Sequence, residues 1–237
     1  MQNKYKLYHF SCIPSTNDFA KTLINSGENT LIFADEQSGG RGTKGRSFSS
    51  KQGGVYATKL DFYQNFPAKN AFEIMAKTAT AVCKTLEDFH LKPCVKWPND
   101  IFVSDKKICG ILIENAFEGS AIKYSIVGIG LNVCNELPNE LQSIATTMRL
   151  QLKSVPSVEQ VKERLLTHLQ ADFCMQDYLS RVGYLGKECD LLIGDELIPA
   201  TLLFVDEQGG LHVKMQGEEK RLTSAEISLR IKHTEKI

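Results

Sequence analysis

Residues 96–114 read KWPNDIFVSDKKICGILIE, and they contain short apolar runs separated by residues that favour turns. With the residues just before them, they predict strands over 94–97, 101–103 and 108–114, because each run is too short for a helix. The Pro98-Asn99-Asp100 triplet marks the first turn, since Asn and Asp side chains bond their own backbone there. This stretch therefore indicates several consecutive strands of one sheet.

The sequence on either side of this stretch alternates between strand and helix patterns. A capping-box spacing at Ser15 predicts a first helix, and apolar residues at steps of three and four predict a second helix from Ala68 to Phe89. A third helix is predicted from Ser157, with apolar residues on one side as far as Tyr178. Further strands are predicted over 31–34, 55–62 and 124–133. The pattern predicts an α+β fold, a mixed β-sheet backed by helices.

The sequence changes character near residue 186 and continues with short β-like runs over 191–193, 198–205, 211–215 and 227–231. Turn residues such as Asp206-Glu207-Gln208-Gly209-Gly210 separate them. About fifty residues of short strands predict a small β-barrel docked on the larger unit. We therefore expect two domains, residues 1–185 and residues 186–237.

The composition excludes several classes of protein. The chain has 237 residues, of which 42% are hydrophobic and 24% charged, so it can bury a core and is not a disordered chain. Its 28 basic and 28 acidic residues give no general signal for binding nucleic acid or a membrane surface. The amino terminus lacks a secretory signal, and no apolar run is long enough to span a bilayer. The seven cysteines include no CxxC pair, so we expect a cytoplasmic protein with reduced thiols and no tightly bound metal.

A local basic cluster lies within the neutral total, in the segment Gly39-Gly40-Arg41-Gly42-Thr43-Lys44-Gly45-Arg46. Glycines let backbone N–H groups approach an anion, and arginine offers paired donors to carboxylate or phosphate. The spacing fits neither a Walker P-loop nor a Rossmann fingerprint. On this segment alone, an anion-binding loop and a solvated hairpin tip are comparable interpretations.

Two further segments carry chemical groups. Lys107, at the start of an apolar strand, could meet developing phosphate charge, and Asp100 could hold a metal or orient an amine. Asn-Asp in a turn is nevertheless most often structural, and lysines at the end of a strand are most often solvated. In Val127-Gly128-Ile129-Gly130-Leu131-Asn132-Val133, the alternating glycines leave space for a flat ligand or for a crowded sheet crossing.

Taken in order, these segments resemble the catalytic domain of biotin protein ligases, in the short form without an amino-terminal DNA-binding domain. The resemblance rests on Ser15-Thr16-Asn17, Gln37 with the Gly40-to-Arg46 loop, Lys96 to Asp100, Lys107 with Gly110-Ile111-Leu112, and Gly128 to Asn132. Glu226 to Arg230 resembles the end of the small SH3-like barrel of that family. The resemblance implies a catalytic domain like that of class II aminoacyl-tRNA synthetases and biotin synthetases, followed by an SH3-like domain.

The resemblance also implies a reaction in two steps. Biotin carboxylate attacks the α-phosphorus of ATP, carried with Mg²⁺, to form biotinyl-5'-AMP, and a lysine of a biotin carboxyl carrier domain of a carboxylase then takes the biotinyl group. By resemblance the catalytic residues are Lys107, Arg41, Asp100 and Arg46. The implied biotin-binding residues are Ser15, Thr16, Asn17, Gln37, Gly40, Arg41, Gly42, Thr43, Lys107, Gly110 and Leu112. The implied nucleotide-binding residues are Lys44, Arg46, Phe48, Asn99, Asn132 and Arg230.

The sequence departs from many relatives at three positions of the loop. Thr43 and Lys44 replace arginines, and Phe48 replaces a tryptophan, so the departures bear on loop closure, adenylate retention and adenine stacking. Only fourteen residues precede Ser15, so repression through DNA is not expected. A lipoate or octanoate ligase is the nearest alternative, a non-catalytic binding module is a more distant one, and a homodimer formed through sheet edges is possible by resemblance.

Overall fold

The larger part of the protein is built on one sheet of seven strands. The structure, a computed structural model, describes residues 5–223 and 227–231. The strands are β1 (Lys6–Ile13), β2 (Thr30–Gln37), β3 (Val55–Pro67), β4 (Cys94–Lys96), β5 (Asp100–Val103), β6 (Lys106–Glu118) and β7 (Ala121–Leu131). Their order is β1-β2-β3-β7-β6-β5-β4. Only β1 and β2 run parallel, so the sheet is mixed, as predicted.

Helices cover both faces of this sheet. They are α1 (Thr16–Thr22), α2 (Ala71–Asp88), α3 (Met148–Gln151), α4 (Val158–Gln170) and α5 (Met175–Leu179). Ala20 of α1 packs with Ile32 of β2, whereas the adjacent Leu31 belongs to the large core that contains Ala79 of α2. Because successive strand residues point to opposite faces, α1 and α2 lie on opposite sides of the sheet.

The start of α1 follows directly from its sequence. Ser15 has an extended backbone, and its side chain accepts a hydrogen bond from the Asp18 amide at 3.3 Å, which satisfies one of the helix's free N–H groups. A short 3₁₀ turn follows α1 and ends at Gly27, whose φ is +66°. The predicted helix start at Ser15 is thus confirmed.

One prediction about the larger unit was wrong, and one strand was not predicted. The helix from Ser157 ends at Gln170, and Tyr178 lies in the separate α5, because Ala171 has ψ near 160° and breaks the helix. Strand β1 was missed: it lies at the sheet edge and is mostly exposed, and its short alternation of Tyr8, Phe10 and Cys12 with polar residues was not recognised.

The carboxyl-terminal residues form a separate, fully antiparallel sheet. Its strands are β8 (Glu188–Ile193), β9 (Glu196–Val205), β10 (Leu211–Met215), β11 (Glu218–Leu222) and β12 (Ile227–Ile231), in the order β11-β10-β9-β8-β12. Strand β11 was not predicted, because Glu218-Glu219-Lys220-Arg221 is wholly polar. The SH3-like barrel and the boundary at residue 186 stay predictions. Glu226 lies outside the described residues, and no described helix is long and apolar enough to cross a membrane.

Candidate active site

A cavity of about 370 Å³ opens on the α1 side of the large sheet. Its walls come from the start of α1, the loop between β2 and β3, the centres of β6 and β7, and the segment that follows β7. Most of the residues predicted for the site line it: Ser15, Thr16, Asn17, Gln37, Arg41, Gly42, Thr43, Arg46, Phe48, Asn99, Asp100, Lys107, Gly110, Leu112 and Asn132.

A hydrogen-bonded network of polar side chains forms one end of the cavity. Gln37 Oε1 accepts from the Thr16 amide at 2.8 Å and from Thr16 Oγ1 at 3.0 Å, and Gln37 Nε2 donates to Ser50 Oγ at 2.9 Å. Thr58 of β3 donates to Asn17 Oδ1 at 2.6 Å. All these side chains are held before any ligand arrives, so a polar ligand would meet fixed donors and acceptors.

The glycines of β7 make room for side chains that line the same cavity. A Cβ atom on Gly128 would overlap Asn17 Oδ1, and one on Gly130 would come within 2.5 Å of the Phe48 ring. Gly110, the register partner of Gly130 on the adjacent strand β6, is similar, since a Cβ there would lie 3.0 Å from Lys107 Nζ. The alternating glycines thus bring Asn17 and Phe48 close to the sheet.

The glycine-rich loop closes on itself as an irregular hairpin. The Phe48 amide donates to the Gly40 carbonyl at 2.9 Å, and the Gly42 amide donates to the Arg46 carbonyl at 2.6 Å. Arg46 bonds back to Thr43 through its Nε and Nη2 atoms. Gly40 is packed under Phe48 and Ser50 Oγ and does not line the cavity.

Two other loop residues are placed outside or at the rim of the cavity. Lys44 is exposed, with a φ of +56°, and is not part of the cavity wall. Arg41 reaches the wall, but its guanidinium lies 2.8 Å from Asp18 Oδ2 on α1. The side chain of Arg41 is 54% exposed, so this ion pair is weak and can be exchanged for a ligand anion.

A lysine and a carboxylate face each other in the middle of the cavity. Lys107 Nζ lies 2.7 Å from Asp100 Oδ1, and their side chains are 32% and 20% exposed. The contact is an ion pair without hydrogen-bond alignment, and within the described residues no donor meets this buried Oδ1 with good geometry. Lys107 also lies 5.8 Å from the Phe48 ring centroid. The middle of the cavity thus holds a lysine ammonium beside a buried carboxylate oxygen that lacks an aligned donor.

The backbone of Lys107 is fixed by the segment after β7. The Lys107 amide donates to the Ile144 carbonyl at 2.9 Å, and its carbonyl accepts from Thr146 at 2.8 Å. Because Ile108 and Cys109 are fully buried, the strand cannot shift to relax this position. Burial also raises the pKa of the Cys109 thiol, which therefore stays protonated.

Three predicted nucleotide-binding residues differ in their surroundings. Asn99 Nδ2 donates to the Ile111 carbonyl at 2.9 Å, and Asn132 Nδ2 donates to the Thr146 carbonyl at 3.1 Å, so both amides brace the cavity wall. Arg230 lies in β12 opposite Asp190, but its side chain lies outside the described residues.

The sequence did not reveal every residue of the cavity wall. Lys96 lies within the quoted KWPND motif and lines the cavity, with its Nζ 5.1 Å from the Phe102 ring centroid, and could have been assigned from that motif. The segment after β7 contributes an apolar wall and carries no motif that announces it. Its lining residues are Leu137, Leu141, Ile144 and Ala145.

Comparisons with known proteins agree with this geometry. Residues 9–132 match the Biotin/lipoate A/B protein ligase family. The chain is 30% identical to the bifunctional ligase/repressor BirA of Bacillus spizizenii, over 94% of this chain and 74% of that protein. It is 22% identical to the biotin--[acetyl-CoA-carboxylase] ligase of Mycobacterium tuberculosis, over 84% of this chain and 79% of that protein.

A solved structure shares the whole architecture. Biotin protein ligase from Aquifex aeolicus in complex with biotin and ATP superimposes with a TM-score of 0.74 and 27% sequence identity, over 97% of this chain and 99% of that one. The cavity, the mixed sheet and the sequence similarity agree: the chain belongs to the Biotin/lipoate A/B protein ligase family.

Proposed function

We propose that this protein is a biotin protein ligase, which attaches biotin to a lysine of a carrier domain through biotinyl-5'-AMP. The observation that carries the proposal is one continuous cavity with a hydrogen-bonding end, an apolar end and the Lys107–Asp100 pair between them. Such a cavity suits a ligand with a polar head, a carboxylate and a nucleotide. Belonging to the family and resembling a ligase solved with biotin and ATP support it.

The polar network suits the ureido ring of biotin. Ser15, Thr16, Asn17 and Gln37 offer donors and acceptors already fixed by their neighbours, so binding costs little side-chain entropy. Leu112 offers an apolar surface for the thioether ring and acyl chain, whereas the adjacent Ile111 is 1% exposed and packs in the core on the other face of the sheet. The carboxylate would then extend toward Lys107.

The first step must bring two anions together. A biotin carboxylate oxygen attacks the α-phosphorus of ATP, the bond to the β-phosphate oxygen breaks, and pyrophosphate leaves. Lys107, with Arg41 and Arg46 of the loop, supplies the positive charge that offsets the repulsion and stabilises the charge of the transition state. For Arg41 to act, its contact with Asp18 must be exchanged for the ligand, which closes the loop over the cavity.

Magnesium enters this scheme with the nucleotide. No group of three or more His, Cys, Asp or Glu side chains that could hold a metal occurs among the described residues. Mg²⁺ commonly binds through one or two carboxylates together with substrate phosphates, and Asp100 is the carboxylate that lines the cavity. When bound, the ion would neutralise phosphate charge that the loop cations do not reach.

The second step needs an uncharged amine. An acceptor lysine has an ordinary pKa of about 10.4, so it must first give up one proton to the solvent. Its nitrogen then bonds to the acyl carbon, the bond from that carbon to the AMP phosphate oxygen breaks, and the nitrogen releases a second proton to the solvent. Asp100 Oδ1 lies beside Lys107 and lacks an aligned donor, so it can accept a hydrogen bond from that amine once Lys107 turns toward the phosphate. Lys107 beside it would meet the phosphate of the departing AMP.

The apolar wall at residues 137–145 suits the purine base, and Phe48 adds a ring beside it. Asn132 and Arg230 are further proposed contacts with the nucleotide, and Lys44 of the loop would approach it from outside the cavity wall. We also propose an SH3-like fold for the carboxyl-terminal domain, a carboxylase carrier domain as acceptor, and a cytoplasmic location, with which seven free thiols agree.

Pyrophosphate exchange with biotin, lipoate and octanoate in parallel tests the function. We expect label to pass from pyrophosphate into ATP with biotin, and a purified carrier domain to gain one biotinyl group. Exchange driven by lipoate or octanoate but not by biotin would identify a different ligase of the same family. Exchange with none of the three acids would contradict the proposal.

A further inference from the structure

We infer that the turn between β9 and β10, residues 206–210, is a positioning element for the catalytic segment 96–100. The inference rests on the proposed function, because it assigns this turn a task in the proposed reaction. The turn belongs to the carboxyl-terminal sheet and does not line the cavity, yet it holds Trp97 from the opposite side of the segment.

The first link is a buried hydrogen bond. Trp97 is 3% exposed, and its Nε1 donates to the Gly209 carbonyl at 3.1 Å across 112 residues of sequence. An indole N–H in a core needs an acceptor, and here the acceptor comes from the other sheet. The position of Trp97 therefore depends on the position of this turn.

The second link passes through two aromatic rings. Gly209 has a φ of +83°, and a Cβ there would overlap the Phe72 ring, so the turn packs directly on that ring. Phe72 meets Tyr178 edge to face, with centroids 5.2 Å apart. The Tyr178 hydroxyl donates to the Pro98 carbonyl at 3.3 Å. The turn thus reaches both Trp97 and Pro98, two neighbouring residues of the catalytic segment.

The turn itself is rigid because Asp206 binds it together. Its carboxylate accepts from the Gly210 amide at 2.8 Å, from His212 Nε2 at 3.0 Å and from Arg221 Nε at 2.6 Å. Burial would raise the pKa of Asp206, but the bonds from Arg221, Gly210 and His212 outweigh it and hold that pKa well below the usual range. A charged carboxylate with several donors gives the turn a single shape.

The far end of the catalytic segment is fixed to β6. Asn99 pairs with Ile111 through backbone and side-chain bonds, and Asp100 lies against Lys107. The segment is therefore held at its start by the turn and at its end by the strand that carries Lys107. A shift of Trp97 would move Asp100, which lies three residues further along the segment. The polar network of Thr16, Asn17 and Gln37 shares no hydrogen bond with the turn among the residues that the structure describes. Loss of the turn should thus harm the chemistry while leaving biotin binding intact.

Two variants loosen the turn, and a third is the matched control. Asp206→Asn removes the charge that binds Arg221 and His212, and Gly209→Ala places a methyl group against Phe72. Glu207→Gln makes the same charge change on an exposed residue of the same turn. Each folded variant is measured for biotin affinity by calorimetry, for kcat of pyrophosphate exchange, and for the emission of Trp97, the one tryptophan of the chain.

For Asp206→Asn and Gly209→Ala we expect kcat to fall roughly 10- to 100-fold, because displacements near 1 Å cost about that much. Biotin affinity should change less than about twofold. General damage to the protein would lower kcat and biotin affinity together, so a loss of kcat alone points to the position of the segment. Trp97 emission should move to longer wavelength, and Glu207→Gln should match the wild type. If Gly209→Ala fails to fold, Asp206→Asn alone decides.

A shifted emission with wild-type kcat would overturn the inference, as would equal losses of kcat and biotin affinity. Pyrophosphate exchange by the wild type tests the proposed function, whereas the comparison of variants with the wild type tests the role of the turn. The ratio of variant to wild-type kcat is taken with whichever of biotin, lipoate and octanoate supports exchange, so a wrong acyl substrate leaves the test of the turn in place.

Discussion

Replacement of Lys107 by alanine removes the cation at the centre of the cavity. If Lys107 Nζ lies about 4 Å from the reacting phosphate, their attraction is about 4 kcal/mol at an effective dielectric constant near 20. Each 1.36 kcal/mol corresponds to roughly a factor of ten in rate. We therefore expect kcat for pyrophosphate exchange to fall about 1,000-fold.

The same change also affects stability, and the assay must separate the two effects. Lys107→Ala leaves Asp100 Oδ1 buried without its ion-pair partner, which we expect to cost about 1–3 kcal/mol in the free energy of unfolding. The double variant Lys107→Ala with Asp100→Asn removes that stranded charge, so it should recover stability but not the rate of adenylate formation.

The assay is pyrophosphate exchange at saturating biotin and ATP, on protein shown to be folded by circular dichroism and a cooperative melt. Lys123→Gln is the control, because it removes a lysine charge from an exposed strand residue paired with Glu118. It should keep the wild-type rate. A folded Lys107→Ala protein whose exchange rate stays within about threefold of the wild type would refute the role of this lysine.

The other predictions concern the loop, the sheet and the turn. Gly130→Ala should lower the free energy of unfolding by about 1–3 kcal/mol, because its Cβ would overlap the Phe48 ring. Adding Phe48→Ala should restore part of that loss in thermal melts. Strictly additive losses in the double variant would argue against the overlap. Asp18→Asn removes the ion-pair partner of Arg41 and should speed proteolysis of the unliganded loop by up to about fivefold, since exposed ion pairs contribute up to about 1 kcal/mol. High salt should remove the difference in cleavage rate between variant and wild type. Equal cleavage rates at low salt would count against the contact. Asp206 has a lowered pKa in the folded state, so its stabilisation is present above the unfolded pKa of about 3.9 and is lost as pH falls through the lower folded value. In denaturant unfolding, the wild type should therefore be more stable than Asp206→Asn at pH 7, and this difference in the free energy of unfolding should shrink below about pH 4. A difference that does not change with pH would contradict the assignment.

Local sequence signals were sufficient where one residue determines its own surroundings. Ser15 caps a helix through its own hydroxyl, and the apolar run from Ile108 can only be a buried strand, so both were predicted correctly. Gly128 and Gly130 could be recognised as unusual, but the reason for them could not. It depends on Asn17 and Phe48, which come from distant segments.

The segment after β7 shows why part of the site could not be predicted. Leu137, Leu141 and Ile144 carry no reactive group, and their spacing of four and three residues is that of an ordinary helical stripe, so nothing in their sequence marks them as part of a cavity. They reach it because backbone bonds tie residues 144–146 to Lys107, and such pairing between irregular segments leaves no pattern in either one. Lys44 differs from them: the resemblance implied a contact with the nucleotide, and the structure gives this residue a left-handed backbone and places it outside the cavity wall.

The bond between Trp97 and Gly209 also has a consequence for the order of folding. Its partners are separated by 112 residues, and the entropy of closing a chain loop rises with its length, so this contact is among the slower ones to form. On a ribosome, the strands around Trp97 would emerge and pair well before residue 209 is synthesised. Residues 96–100 would then take their final geometry only after the second sheet has folded.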